Sequence, residues 1–419
     1  MPQPPSLPLP LAGLRVLDLS MFMSGPLATL FFADAGAEII KVESLQRLDG
    51  WRGASAPAPG IDAPWEMAPS FNWINRNKRD ITLNLTDPRG QDLCKRLAAI
   101  SDIVIENYTP RVMGQFGLAY DTLRAVKPDL IMLSMPGFGL TGSFRDYTAF
   151  AWTTEQMSGI TDVTGYPGGQ PLFTGSTLGD PLAGLMGGIA LLAALQHRAA
   201  TGEGQHIDLS QTEASTMFIG DAFMDVALNG RDPGRRGNRH PAMAPHGIYP
   251  CRDDRWIAIA CRDGDEWRAL ARAMRRDAWL APDSPLATLA GRQAAHDDLD
   301  AAIAGWTRAQ DFIACMHHLQ AEGVAAGAVM NGADILHDAH LAARRSFIPQ
   351  DRPGLGVKHY PRQPYRFAAT PEVAHVRAPM LGEHNREILG GLLGLSDAEL
   401  AALERNDVIG TLPIAARPA

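Results

Sequence analysis

Cysteine is nearly absent from this chain. Four in 419 residues, Cys94, Cys251, Cys261 and Cys315, lie scattered without a CxxC pair, which excludes a zinc knuckle or a disulfide framework and fits a reducing cytoplasm. Positive charge is short too. With 38 Lys and Arg against 46 Asp and Glu, the formal charge of −8 argues against a general nucleic-acid binder but not against a local basic pocket for a phosphorylated ligand. Long apolar runs are missing. The longest, residues 182–195, contains three glycines and is shorter than a bilayer requires; the proline-rich start, residues 2–10, lacks the basic and apolar regions of a signal peptide. No membrane association is expected. A composition of 46% hydrophobic and 20% charged residues is that of a globular chain long enough for two or more domains.

What is present alternates. Strand-like apolar runs at residues 14–19, 38–42, 81–85, 103–105 and 130–135 are separated by helical patterns ending at Ala35 and spanning 89–100 and 120–126. Such alternation predicts a mostly parallel sheet with helices on both faces. A loop at 136–142, a helix near 153–158, a Gly/Pro-rich turn at 165–175 and a strand at 205–209 follow. Residues 229–245 are dense in Arg, Gly, Pro and His, as a linker is. Beyond them come a hairpin at 247–250 and 256–261, helices to about residue 322, a strand at 323–330, extended arms at 346–367 and a capping-box helix at 396–405.

The segment Gly175-Ser176-Thr177-Leu178-Gly179-Asp180-Pro181 runs straight into the apolar stretch. Asp180 has an N-cap side chain, Pro181 suits the first helical position, and a helix apolar all round belongs inside a domain. Free N–H groups and the helix dipole would hold the Asp180 carboxylate charged near pH 7, as a nucleophile requires. Capping alone is the commoner role for such a residue.

Seven segments, in order and spacing, resemble one family: Leu11-Ala12-Gly13-Leu14-Arg15-Val16-Leu17-Asp18-Leu19, Gly36-Ala37-Glu38-Ile39-Ile40-Lys41-Val42-Glu43, Asn75-Arg76-Asn77-Lys78-Arg79, Glu106-Asn107-Tyr108, Gly137-Phe138-Gly139, Gly179-Asp180 and Gly202-Glu203-Gly204-Gln205. They are similar to the family III CoA transferases, which include formyl-CoA transferase, carnitine CoA transferase and the α-methylacyl-CoA racemases. The resemblance runs from about Leu11 to Ile409. It implies an α/β fold with a Rossmann-like large domain and a smaller α+β domain, in an interlocked homodimer. The expected division is 1–228 for the first part of the CoA-binding domain, 229–330 for linker and small domain, and 331–419 for a segment returning to the large domain.

The resemblance further implies that Asp180 is the nucleophile of a CoA transferase, carrying CoA as an aspartyl thioester between an acyl-CoA donor, such as a dicarboxylic acyl-CoA, and a carboxylic acid acceptor. Phe22, Met23 and Ser24 match a loop that touches CoA, and Lys78, Arg79, Asn107, Tyr108 and Arg111 lie in or beside matching motifs. That loop has no GxGxxG pattern, which argues against NAD; no metal is expected. Ser44 and Gln115 stand where the family commonly has Arg, with Arg47 three residues beyond Ser44. Arg239 and His240, with His246, are candidates to meet a substrate carboxylate. Two alternatives remain open. A racemase would need a His where this chain has Phe150-Ala151, leaving Asp146 or Glu155 as stand-in bases although both read as solvated helix residues; Phe150 is instead placed near the substrate. An inactive CoA-binding protein is the other.

Overall fold

The computed structural model describes residues 8–53 and 63–416, so residues 2–7 of the proline-rich start lie outside the described residues. Two compact units emerge. The larger takes in the chain up to Thr161, Phe173–Asp221 and the chain from Arg345 onward; the smaller comprises Asp162–Leu172 and Ala222–Arg344.

In the larger unit, six short strands form one parallel sheet: β1 (Arg15–Asp18), β2 (Glu38–Glu43), β3 (Arg79–Thr82), β4 (Ile103–Glu106), β5 (Ile131–Ser134) and β6 (His206–Asp208), in the order β3-β2-β1-β4-β5-β6. Runs of Ile, Val and Leu suit strands buried on both faces, and alternate residues feed alternate cores. Leu17, Ile40 and Val104 pack under the helices Pro88–Ala99, Tyr120–Val126 and Asp397–Arg405, whereas Val16, Ile39 and Ile105 pack under Ser24–Asp34 and Gly179–Thr201. The helix Pro88–Ala99 starts where Asp87 accepts from the Arg89 N–H and Pro88 occupies the first turn. Strand order reverses between β1 and β4, so the connections leaving them diverge and open a crevice at their C-terminal ends.

The smaller unit has a three-stranded antiparallel sheet, β7 (His246–Pro250), β8 (Trp256–Ala260) and β9 (Ala325–Ala328). Trp267, Leu270, Ile303 and Leu319, from three helices, pack with Ile257 and Ile259 of β8 into its core. Back in the larger unit, β10 (Phe347–Arg352) and β11 (Gly356–Pro361) pair antiparallel. The expectation of extended arms at 346–367 is therefore corrected in part: Gly354 and Gly356, at φ +78° and +64°, let the chain turn back and satisfy its own backbone.

The long helix also departs from expectation. Gly179–Thr201 spans 23 residues and is long and apolar enough to cross a membrane, although the apolar run in the sequence is shorter. One side packs on Ser24–Asp34 and β5, while Leu185, Ile189 and Leu192, spaced to share a face, are 44%, 61% and 50% exposed. It is not buried all round.

Gly204, which leads from this helix into β6, lies so close to the edge of β5 that a Cβ there would stand 2.2 Å from the Leu130 carbonyl oxygen. Gly204→Ala must push backbone apart, and is expected to lower unfolding free energy by about 1–3 kcal/mol in a denaturant titration, without altering the far-ultraviolet circular dichroism of the native state.

Candidate active site

The crevice at the ends of β1 and β4 is lined by the loop between β1 and the helix Ser24–Asp34, held by side chains from three directions. Asn107, just past β4, accepts from the Met21 N–H at 2.8 Å and donates to the Met21 carbonyl at 2.8 Å and the Ser24 hydroxyl at 3.1 Å. Asp49 accepts from the Phe22 N–H at 3.1 Å. Lys41, wholly buried, donates to the Ser20 carbonyl at 2.8 Å and pairs with Asp49 at 3.1 Å. These bonds hold Phe22 at φ +61°, a conformation costly for an aromatic residue, and point to a loop shaped for a purpose other than chain reversal.

Phe22 meets Phe150 edge to face, ring centres 5.7 Å apart, so this loop and the helix Ala151–Met157 adjoin. That helix in turn abuts the head of the long helix. A Cβ on Gly179 would lie 2.2 Å from the Thr154 hydroxyl, and one on Gly184 would lie 2.8 Å from the Ser24 carbonyl oxygen. Phe22, Met23, Ser24, Asn107, Phe150 and Asp180 thus belong to one packed neighbourhood of the larger unit.

Asp180 sits differently from its expected place. Leu178 occupies the cap position and no side chain caps the helix, so Asp180 lies in the first turn. The loop before it turns through positive φ at Gly175 (+80°), which glycine tolerates, and at Thr177 (+50°), where a β-branched residue is strained. Its carboxyl is also tuned the opposite way from the helix-dipole argument: burial, and then the negative charge of Glu155, push it up to about 7. Glu155 is the residue that sequence reasoning missed. It was expected to be solvated, yet it is 0% exposed, because its helix buries Thr154 and Glu155 and turns Trp152 and Met157 outward. The reversed pattern is visible only once the exposed apolar side chains are known. Asp146, the other proposed stand-in base, is exposed as expected.

Several expected CoA contacts prove to be occupied. Lys78 is buried, and its ammonium donates to Asp18, the Pro26 carbonyl, Thr29 and Asn75 at 2.8–3.2 Å, so it braces the loop instead of facing a ligand. Burial, only partly offset by Asp18, lowers it to about 8. Arg79 pairs with Glu38 at 2.9 Å and Glu387 at 3.2 Å. Tyr108 is half-buried against Phe116. Arg111 and Arg47 are exposed and, among the described residues, in no ion pair. Arg239 and His240 lie in the smaller unit; Arg239 is engaged by Asp297 and Asp300 beside a cavity of about 450 Å³, and His240 accepts from the Ala242 N–H at 3.1 Å and lies tilted against His246, ring centres 5.5 Å apart. No cluster of three metal-ligating side chains occurs among the described residues.

The chain matches CoA-transferase family III over residues 11–385. It belongs to that family. Among its relatives, the succinyl-CoA–D-citramalate CoA-transferase of Chloroflexus aurantiacus is 36% identical over 96% of this chain and 98% of its own length. The succinate–glutarate CoA-transferase of Agrobacterium fabrum is 32% identical over 94% and 97%. A CAIB/BAIF family protein from Brucella suis superposes with a TM-score of 0.83 at 32% identity, over 92% of this chain and all of that one. The protein is a family III CoA-transferase, and the reading as an inactive binding protein falls.

Two outcomes follow for this transferase. Lys78→Met strands the buried Asp18 carboxylate and is expected to cost about 3–5 kcal/mol in denaturant unfolding. Asp180 has a folded-state value above its unfolded one, so the native state holds the extra proton between about pH 4 and 7 and stability falls as pH rises through that window. Asp180→Asn removes the penalty. Thermal melts should show the variant more stable than the parent by about 1–2 kcal/mol at pH 8, after allowance for solvent screening, and equal to it at pH 4.

Proposed function

We propose that this CoA-transferase moves CoA from succinyl-CoA to the carboxylate of a second small acid, with Asp180 as nucleophile. The carrying observation is Asp180 itself, a crowded carboxyl poised to ionise near neutrality, at the head of a helix braced on the β1 loop. Relatives named for succinyl-CoA donors support the choice of donor.

The ionised Asp180 attacks the thioester carbonyl and expels CoA thiolate, giving a mixed succinyl–aspartyl anhydride. The thiolate attacks the aspartyl carbonyl, releasing succinate and leaving CoA on Asp180 as a thioester. The acceptor carboxylate then displaces the thiolate to form a second anhydride. Thiolate attack at the acceptor's carbonyl frees the new acyl-CoA and restores Asp180. Every intermediate is an activated acyl group, so no other energy source enters, and water must be kept from both anhydride and thioester.

In this reading the larger unit is Rossmann-like and CoA lies along the loop Phe22–Met23–Ser24, with Asn107 and Tyr108 beside it. Arg47 and Arg111, which lack ion pairs among the described residues, are the cations available to its phosphates, in place of Lys78 and Arg79. Arg239 and His240 of the smaller unit remain candidates to bind a carboxylate, Arg239 being engaged by Asp297 and Asp300. The apolar stripe Leu185, Ile189, Leu192 supports a homodimer, here read as interlocked, and four free buried cysteines support a cytoplasmic setting.

Intact-protein mass spectrometry after mixing with succinyl-CoA tests the reading. An adduct of CoA mass, lost on hydroxylamine treatment and mapping to the peptide that holds Asp180, is expected, with its rate of formation rising through pH 7. Asp180→Ala should form none; full transferase activity in that variant would refute the mechanism.

A further inference from the structure

The helix Ala151–Met157 presents a buried carboxylate to the loop that delivers Asp180. Glu155 accepts from the Thr174 hydroxyl at 3.0 Å and from the Thr174 N–H at 3.3 Å. Thr174 is the last residue before the strained turn at Gly175 and Thr177, and Gly179 closes that turn against Thr154, the neighbour of Glu155. Both ends of the loop are therefore fastened to one short helix. We propose that Glu155 is a positioning residue for the transfer reaction: its carboxylate clamps Thr174 and so fixes the loop that leads into Asp180, with its negative charge acting on the Asp180 carboxyl.

The charge distribution bears this out. Burial and the Glu155 charge both push Asp180 upward, and among the described residues no cation is set against them. Of the elements packed on the head of the long helix, Gln211–Thr216 carries only Glu213, which is exposed, and Ser24–Asp34 carries only Asp34, which Arg76 engages. Two carboxyls in a shared low-dielectric space resist double ionisation. Near neutrality the Asp180 carboxyl is therefore only partly ionised, and removing the Glu155 charge would leave more of it in the carboxylate form that attacks.

The proposal rests on Asp180 as nucleophile, and its test separates the two. Rapid-quench adduct formation with succinyl-CoA is measured from pH 5 to 9 in the parent, Glu155→Gln, Glu155→Asp and Thr174→Val. If the parent forms no adduct on Asp180, the nucleophile reading fails, whatever Glu155 does. If it does, Glu155→Gln should move the rising limb of the pH profile down by about one unit, because a like charge has gone. Thr174→Val should slow adduct formation about tenfold with the limb unmoved, since it loosens the clamp and keeps the charge. Glu155→Asp should restore the parent limb but not its rate. A limb at the same pH in all four, with rates falling only in proportion to lost thermal stability, would overturn the proposal and leave Glu155 a structural residue. Circular dichroism of each variant guards against misfolding, and Thr174→Val keeps the test open should Glu155→Gln fail to fold.

Discussion

Two buried ion pairs at the end of β1 hold the architecture on which the chemistry relies. Asp18, the last residue of that strand, is wholly enclosed, and burial alone would push its carboxyl upward; Lys78, Lys41 and the Ser20 and Thr29 hydroxyls outweigh that and keep it below the usual carboxylate range. Lys41 is likewise held charged against burial by Asp49, Asp18 and Glu43. Charges removed from water are stable only when each is met by partners of fixed geometry, and here those partners are the sheet, the β1 loop and the helix behind it. Losing one member leaves its opposite uncompensated. The loop Phe22–Ser24 owes its strained conformation to this arrangement, since Lys41 draws in the Ser20 carbonyl and Asp49 the Phe22 N–H.

Around that rigid floor the carboxyl proposed as nucleophile is managed by the reverse principle. Asp18 is surrounded by cations and hydroxyl donors and stays ionised; Asp180 has neither and faces another carboxylate. The contrast divides labour between two acidic residues of one unit. One organises, and the other is the residue we propose to react. In the proposed reading, the nearby Phe22 and Phe150 rings limit water around an anhydride or thioester on Asp180. The helix Ala151–Met157 joins these demands, because it contacts Phe22 through Phe150, Gly179 through Thr154 and Thr174 through Glu155.

Much of the fold could be read from hydropathy. Strands β1, β2, β4 and β5 fall within a residue or two of the apolar runs that announce them, because a strand buried on both faces must be continuously apolar, and the helices Pro88–Ala99 and Tyr120–Val126 fall as close to their helical patterns. The antiparallel pairing of β10 with β11 escaped notice: proline, arginine and aromatic content describes extended backbone well, but pairing is decided by which extended segment lies alongside. The long helix was found, yet its exposed stripe was not, since composition cannot tell a helix enclosed by its own chain from one with a bare apolar face.

At the site, the division is similar. The amino-acid sequence by itself determined the family and the parallel sheet, and singled out Asp180 as a candidate, because these depend on residue types in order along the chain. Tertiary structure alone decided the state of each charged group. Lys78 lies in a motif and reads as a ligand contact, but four internal partners claim it; Glu155 reads as a solvated helix residue, but its helix is turned with that side inward. Whether a charge is free, paired or forced toward neutrality is set by desolvation and by neighbours within a few ångströms. Those neighbours come from distant parts of the chain, Asp18 with Lys78 and Glu155 with Asp180, and only folding brings them together.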